Sequence, residues 1–403
     1  MTNLRKFLAL TLVAALSVGM VSAQEEEKEK EQGYQFTTIN EIPTTPVKDQ
    51  YRSGTCWSFS GLGFLEAEML RKGSPEVDLS EMFIVWHTYD QKAMKYVRLH
   101  GNLNFAAGGA FHDVTQVIKK YGIVPEEVYT GLNYGETKHV HGEMDRVLKK
   151  QVEAVIENPN KKLSSAWRES MRGTLSSYLG EIPESFEYKG KTYTPMSFAS
   201  DYVGLDMDDY VEITSYTHHP FYSKFIIEVP DNWMWDEVYN VPLDDLEAII
   251  NNSVKSGYTV AWAADVSEKG FNTSKKGVAV IPEIDKEEMS DAEVARWEEM
   301  SEKERNDELY RLEKPGAEKK ITQELRQESF DNYETTDDHG MLIVGTAKDQ
   351  NGTEYYKVKN SWGKYNDYDG FFYASKPYVR YKTMSIMVHK DAIPKNIQKK
   401  LGL

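Results

Sequence analysis

The chain contains a single cysteine, Cys56, among 403 residues. It can form no intramolecular disulfide, so its fold must be held together by an apolar core. A chain of this length can bury a large core without covalent cross-links, and it exceeds the usual size of one domain. The sequence therefore predicts two lobes or one elaborated domain, and it leaves Cys56 as either an inert packing group or a reactive thiol.

Acidic residues dominate the charge of the chain. It has 64 Asp and Glu against 48 Lys and Arg, which gives a formal net charge of −16. Charge of this sign repels the phosphates of nucleic acids and the anionic headgroups of lipids, so we expect neither as a partner. The sequence also lacks a phosphate-binding glycine loop and a zinc-ligand signature, so no cofactor and no metal ion are expected.

The first residues have the pattern of an export signal. Arg5 and Lys6 precede an apolar run over 7–21, and Val21-Ser22-Ala23 has the small residues of a cleavage site. We therefore predict a signal peptide over 1–23, a charged linker over 24–40 and one domain over 41–403, without stable membrane insertion after cleavage. A signal without disulfides is typical of a bacterial periplasmic or secreted protein.

Cys56 lies at the predicted first turn of a helix. Turn-forming residues precede it, and apolar residues follow at helical spacing, namely Phe59, Leu62, Leu65 and Met69. The unpaired backbone N–H groups and the dipole at a helix N-terminus favour a thiolate, which is the nucleophilic form of cysteine. This position predicts a catalytic role for Cys56.

A base for this thiol is expected at His339, immediately before the apolar strand predicted over Met341–Ala347. A second predicted strand, Tyr355–Lys359, leads into Asn360, Ser361 and Trp362. The amide oxygen of Asn360 can accept a hydrogen bond from the far ring nitrogen of His339 and so fix the tautomer. The indole of Trp362 can shield that bond from water.

Gln50 lies six residues before the cysteine. Its side-chain N–H and the backbone N–H of Cys56 can together stabilise a developing oxyanion. Trp57, next to the nucleophile, is assigned a supporting role with Trp362.

Each motif alone is weak, but their order resembles the signature of the papain superfamily of cysteine peptidases. His339 follows Cys56 by about twice the roughly 130 to 150 residues typical of papain itself. The enlarged middle resembles the bleomycin hydrolase and aminopeptidase C branch. Further segments resemble that branch too: Gly108-Gly109, Lys120–Pro125, Tyr193–Phe198, Asn240–Leu243 and Val388–Lys390.

The resemblance implies an α+β fold with two lobes. A helical lobe begins with the Cys56 helix, an antiparallel β lobe carries His339 and Asn360, and the active-site cleft lies between them. An insertion over about 125–325 is expected to decorate these lobes. Ser53 stands where many papain-like enzymes have a disulfide cysteine, in agreement with the single cysteine here.

The resemblance also implies an activity. It predicts a cysteine aminopeptidase that releases N-terminal residues from peptide substrates through a thioester on Cys56. In this branch the C-terminal carboxylate holds the substrate ammonium, a role that would fall to Leu403, although the tail here is shorter than in well-known members. A homo-oligomer, a hexamer by family resemblance, is also implied. The branch is typically intracellular, whereas the predicted signal indicates export.

Three other functions stay open at this point. The chain is alternatively a papain-like endopeptidase with an open cleft, or a secreted binding protein that keeps the fold without turnover. A transferase is the third alternative, because an amine can replace water as the acceptor of the acyl thioester.

Other sequence features favour structural roles. His139 and His141 flank Val140, and both could bind one metal ion only if they lay on the same face of a strand. We therefore interpret them as surface histidines. The charged segment over 283–327 predicts one or two solvated amphipathic helices.

Overall fold

The computed structural model describes residues 33–286 and 289–403. The predicted signal over 1–23 and the first part of the predicted linker, up to residue 32, lie outside these residues. Of the helices described, none has both the length and the apolar character needed to cross a bilayer.

The α-helices fall into an N-terminal group and a set that packs on or extends from the sheet. They are α1 (Cys56–Arg71), α2 (Glu81–Arg98), α3 (Phe111–Tyr121), α4 (Gly142–Ile156), α5 (Ala166–Leu179), α6 (Pro195–Phe198), α7 (Leu243–Lys255), α8 (Asp291–Glu299), α9 (Glu302–Leu309), α10 (Gln323–Asp331), α11 (Lys376–Lys382) and α12 (Lys395–Leu401).

Most strands belong to one large sheet, and β2 and β3 form a separate hairpin. The strands are β1 (Thr37–Glu41), β2 (Phe186–Tyr188), β3 (Lys191–Tyr193), β4 (Tyr210–Thr214), β5 (Lys224–Ile226), β6 (Glu237–Asn240), β7 (Val260–Ala264), β8 (Phe271–Asn272), β9 (Val278–Ala279), β10 (His339–Lys348), β11 (Glu354–Lys359), β12 (Phe371–Ser375) and β13 (Thr383–His389). The order in the sheet is β5-β6-β4-β13-β7-β10-β11-β12-β9-β8, and β1 pairs with β10.

Pairing in the sheet is mainly antiparallel, and only the β4–β6 and β12–β9 pairs are parallel. One core fills the helical lobe around α1 to α5. A second core lies on the sheet and is covered by α7, α11 and α12. The predicted α+β fold with a helical and a β lobe is therefore confirmed.

Helix α1 lies between these cores and contacts both β10 and β7. It begins at Cys56, as predicted. It ends where Gly73 takes a positive φ of 84° and its N–H bonds to the carbonyl of Leu70, while the N–H of Ser74 reaches Met69. Glycine adopts this conformation at the end of a helix without a Cβ penalty. Because α1 is buried on nearly all sides, it serves as a rigid support for its first residue.

The linker predicted up to residue 40 is wrong at its C-terminal end. Thr37–Glu41 forms β1, which pairs antiparallel with β10. Phe36 stacks on Tyr373 with ring centroids 3.8 Å apart. The charged run before residue 33 suggested a solvated linker for the whole segment, whereas the backbone pairing and this aromatic contact hold its end against the sheet.

The histidine pair is also not at the surface. His141 is 1% exposed, and His139 lies in edge-to-face contact with it and with Phe59. Sequence favoured the surface because both residues are polar, but they occupy the contact between the segment that precedes α4 and the start of α1. By contrast, α8 and α9 have no buried residue, in agreement with the predicted solvated helices.

We predict that His141 makes the protein sensitive to acid. Burial, followed by the neighbouring His139, lowers the pKa of His141 from 6.5 to about 3. Between these values the unfolded chain binds more protons, so the stability present above pH 6.5 is lost as the pH falls towards 3. Urea unfolding measured at pH 7.5 and at pH 5 tests this. Between these two pH values the free energy of unfolding should fall less in His141→Gln than in wild type, by up to about 1.4 kcal/mol per pH unit. The exposed His100→Gln is the control, and an equal loss in His141→Gln would contradict the prediction.

Candidate active site

The first residues of β10 lie directly against the N-terminus of α1. A Cβ atom on Gly340 would come 2.7 Å from the hydroxyl of Ser60 and 3.3 Å from the Cα of Trp57. The hydroxyl of Ser60 donates to the carbonyl of Cys56 at 2.7 Å. Only glycine permits this approach, and it brings the start of β10 beside Cys56.

His339 is the first residue of β10 and is 4% exposed. The prediction had placed it on a loop before the strand, but it already pairs with Ala264 of β7. Its Nε2 lies 2.8 Å from the Oδ1 of Asn360. Because Nε2 is held in this way, Nδ1 is the ring nitrogen left to exchange a proton in the cavity.

Asn360 follows the last residue of β11 and is fixed on both sides. Its Oδ1 also accepts the backbone N–H of Ser361 at 2.8 Å, and its amide nitrogen donates to the hydroxyl of Tyr365 at 3.1 Å. The indole of Trp362 stacks on the His339 ring with centroids 4.7 Å apart. The imidazole is therefore oriented by an amide at its edge and by an aromatic ring on its face.

Gln50 is held by the same segment that carries Asn360. Its backbone N–H donates to the carbonyl of Ser361 at 2.8 Å, and its side-chain oxygen accepts the hydroxyl of Ser361 at 2.6 Å. With Oε1 held, the amide N–H₂ is the free end of the side chain. Trp57 is held differently, because its indole N–H donates to the carbonyl of Ala107 at 3.0 Å.

A cavity of about 490 Å³ brings most of the predicted residues together. Cys56, His339, Gln50, Trp57 and Trp362 all line it. Asn360 lies behind His339 and is not part of the wall. The rest of the wall includes the chain over 106–112, several apolar side chains and the carboxylates of Glu212, Asp231, Asp337 and Asp338.

Burial sets the protonation of the two central groups. It raises the pKa of the Cys56 thiol to about 12, against the lowering effect of the backbone N–H groups of Gly340 and Trp57. Burial also lowers the pKa of His339 to about 4, although Asn360 opposes this shift. Burial therefore opposes the thiolate that the helix N-terminus favours, and it favours the neutral form of both groups.

Leu403 is not among the residues that line this cavity. Helix α12 packs against the β-lobe core through Ile397 and Leu401, and the N–H of Leu403 bonds to the carbonyl of Gln398. Leu403 is 39% exposed. This position does not bring the terminal carboxylate to Cys56, in contrast to the role that the resemblance implied.

The sequence reasoning missed the acidic residues of the cavity. Asp337 stands two residues before His339, so its position next to the motif was a usable signal. No such sequence signal marked Asp231, because it belongs to an irregular segment far from the motifs around Cys56 and His339. Only the fold brings that segment to the cavity.

Among the described residues, two clusters outside the cavity each contain three side chains of types that can bind a metal ion. In each cluster the three potential ligand atoms lie within 4.8 Å of one another. In the first, His218 and His219 share hydrogen bonds with Glu228. In the second, Glu66, Asp78 and Glu81 surround the ammonium of Lys48 at 2.8, 2.5 and 2.6 Å. Ion pairs and hydrogen bonds inside the protein account for both clusters.

Comparison with known proteins agrees with this geometry. The model of the Peptidase C1-like family matches residues 3–305 and 299–402. The chain belongs to this family. The crystal structure of PepW from Lactobacillus rhamnosis HN001 has the same fold, with a TM-score of 0.68 at 19% identity, and the match covers 100% of this chain and 95% of that one.

The curated relatives are aminopeptidases. Aminopeptidase G of Lactobacillus delbrueckii subsp. lactis is 24% identical over 90% of this chain and 85% of its own length. Aminopeptidase C of Lactococcus lactis subsp. cremoris is 22% identical, with 88% and 82% covered. Aminopeptidase C of Listeria monocytogenes is 22% identical, with 96% and 90% covered. The predicted family and enzyme class, a cysteine aminopeptidase, are confirmed, and the two non-peptidase alternatives gain no support.

The prediction of a periplasmic or secreted enzyme is wrong. The relatives that match most of the chain are aminopeptidases C and G of lactic bacteria and Listeria, which are intracellular enzymes. The prediction depended on the apolar pattern of residues 1–23, which lie outside the described residues.

We predict that Gly340→Ala impairs both catalysis and stability. The new methyl group would push β10 from α1 and displace His339, and a displacement of about 1 Å can lower kcat about a hundredfold. The overpacking itself should cost about 1 to 3 kcal/mol in unfolding free energy. Gly63→Ala is the matched control, because it lies in α1 with no atom within 4 Å of the added Cβ. Steady-state kinetics and urea unfolding of both variants provide the test, and wild-type kcat in Gly340→Ala would contradict it.

Proposed function

We propose that Cys56 is the nucleophile of this aminopeptidase, that His339 is its general base and acid, and that Asn360 orients the imidazole. The observation that carries the proposal is that His339 lines the same cavity as Cys56, while its Nε2 lies 2.8 Å from the Oδ1 of Asn360 behind it. This bond leaves Nδ1 for the thiol proton. The proposal needs no cofactor or metal ion.

The reaction begins when His339 removes the proton of the Cys56 thiol as sulfur attacks the carbonyl carbon of the first peptide bond. The imidazolium then gives this proton to the leaving amine, and a thioester remains on Cys56. Water, deprotonated by His339, hydrolyses the thioester and releases the N-terminal residue. Because burial disfavours the charged forms of both groups, we expect the proton to move with the attack rather than before it.

The oxyanion of each tetrahedral intermediate is assigned to the backbone N–H of Cys56 and the amide N–H₂ of Gln50. The bond from the Ser361 hydroxyl to Gln50 Oε1 supports this role, since it fixes which end of the amide is free. Donors that are oriented before the reaction stabilise developing charge without reorganisation. Trp57 and Trp362 act as supporting residues that keep the two segments of the site in position.

The proposed activity is tested with one peptide offered with a free and with an acetylated N-terminus. We expect wild type to give a stepwise ladder of shortened products from the free peptide only, measured by mass spectrometry. Cys56→Ala should give no cleavage above background, because the nucleophile is absent. Internal cleavage of both peptides would indicate an endopeptidase, and cleavage that persists in Cys56→Ala would contradict the assignment of the nucleophile.

A homo-oligomer, with a hexamer as the expected form, is proposed on family resemblance alone. Light scattering of the purified protein should give a mass about six times that of one chain, which is 46.2 kDa. A mass equal to one chain at working concentration would remove this proposal without affecting the catalytic assignment.

A further inference from the structure

The cavity wall carries more negative than positive charge. Four carboxylates line it, from Glu212, Asp231, Asp337 and Asp338, and among the described residues no lysine or arginine side chain lines it. Two of these carboxylates have partners. Glu212 lies 3.3 Å from the Nδ1 of His112, and Asp338 accepts the backbone N–H groups of Val266 and Ser267.

Asp231 is partly compensated. Its Oδ1 accepts the amide of Asn104 at 3.0 Å, and its carboxylate lies over Gly108 so closely that a Cβ there would overlap it. The charge of Lys92, whose ammonium donates to the carbonyls of Ala106 and Gly108, lowers the pKa of Asp231, but burial raises it more.

Asp337 has no compensating group. Within the described part of the chain its carboxylate has neither a hydrogen-bond donor nor an ion-pair partner. Burial raises its pKa to about 7, and the charges of Asp231, Asp338 and Glu212 add to this shift. No cation opposes it. The repulsion among these carboxylates is relieved either by a proton or by a cation from outside the protein.

The chemistry of the aminopeptidase supplies such a cation. The α-ammonium of a peptide is attached to the Cα next to the carbonyl carbon that Cys56 attacks, so it lies two bonds from the reacting atom. Asp337 and Asp231 line the same cavity as Cys56, and their charges raise the pKa of its thiol. Leu403, in contrast, is outside the cavity wall.

We propose that the Asp337 carboxylate, assisted by Asp231, binds the α-ammonium of the substrate and so directs cleavage to the first peptide bond. This inference depends on the proposed function of Cys56 and His339. The loop that carries Asp337 is suited to the task, because the N–H of Thr336 bonds to Asp265 at 2.9 Å and its hydroxyl bonds to Asp338 at 2.8 Å. The same short segment therefore fixes Asp337 and His339 relative to each other.

The proposal has a second consequence for the nucleophile. The charges of the two carboxylates raise the pKa of the thiol. An ammonium that pairs with them cancels this effect, so a substrate with a free N-terminus favours the reactive form of Cys56. An acetylated substrate leaves the carboxylates unpaired and the thiol less reactive.

The test uses three reagents that alkylate Cys56: leucine chloromethyl ketone, its N-acetyl derivative and iodoacetamide. Second-order rates of modification are measured at pH 8 for the full chain and for Asp337→Asn and Asp231→Asn. Asp367→Asn, an exposed carboxylate outside the cavity wall, is the matched control for net charge. Wild type should prefer the free amine over the acetylated reagent.

In Asp337→Asn this preference should fall about tenfold to a hundredfold, as expected for loss of a charged hydrogen-bond partner, and in Asp231→Asn it should fall less. The iodoacetamide rate should stay the same or rise in Asp337→Asn, because a charge that raises the thiol pKa is removed. A preference within about twofold of wild type would overturn the inference, and so would a parallel fall of all three rates, which indicates structural damage. If no reagent modifies Cys56 in wild type, the proposed function itself fails.

Discussion

The close contact between Gly340 and the N-terminus of α1 is the constraint on which the active site depends. Since Gly340 has no side chain, the start of β10 can lie against Trp57 and Ser60, and the two lobes meet at the nucleophile. The loop before β10 follows α10 and is held to it, because the N–H of Thr335 donates to the carbonyl of Ser329 at the end of that helix. There Arg326 is fully buried and donates to backbone carbonyls of Ser215 and of the chain over 380–383.

This contact also explains the electrostatics of the site. Excluding water from Cys56 and His339 favours the neutral form of both groups, because burial raises the pKa of the thiol and lowers the pKa of the imidazole. The chain already contains an example of carboxylates that hold an ammonium, where Lys48 is bound between Glu66 and Glu81. In that cluster the cation belongs to the protein. At Asp337 the described residues supply no cation, and we propose that the substrate ammonium takes that place.

Prediction from sequence succeeded where chemistry requires particular residues in a particular order. The positions of Cys56 before an apolar helical pattern, and of Asn360 after a strand, needed only local periodicity and turn residues. It failed where neighbours in space decide. Residues 37–41 gain a strand partner only because β10 is adjacent, and His141 is buried only because the start of α4 packs on α1. The localisation failed because it depended on a leader pattern rather than on the body of the chain.

The sequence by itself determined the fold class and the family, and it supplied the proposed nucleophile, its base and the residue that orients the base. These follow from motifs within short stretches, in which backbone geometry links each residue to its neighbours. Only the tertiary structure decided which carboxylates face the nucleophile and where the C-terminus lies. Asp231 and Asp337 are distant in sequence, and long-range packing of the insertion against the loop before β10 brings their charges together, which no local pattern encodes.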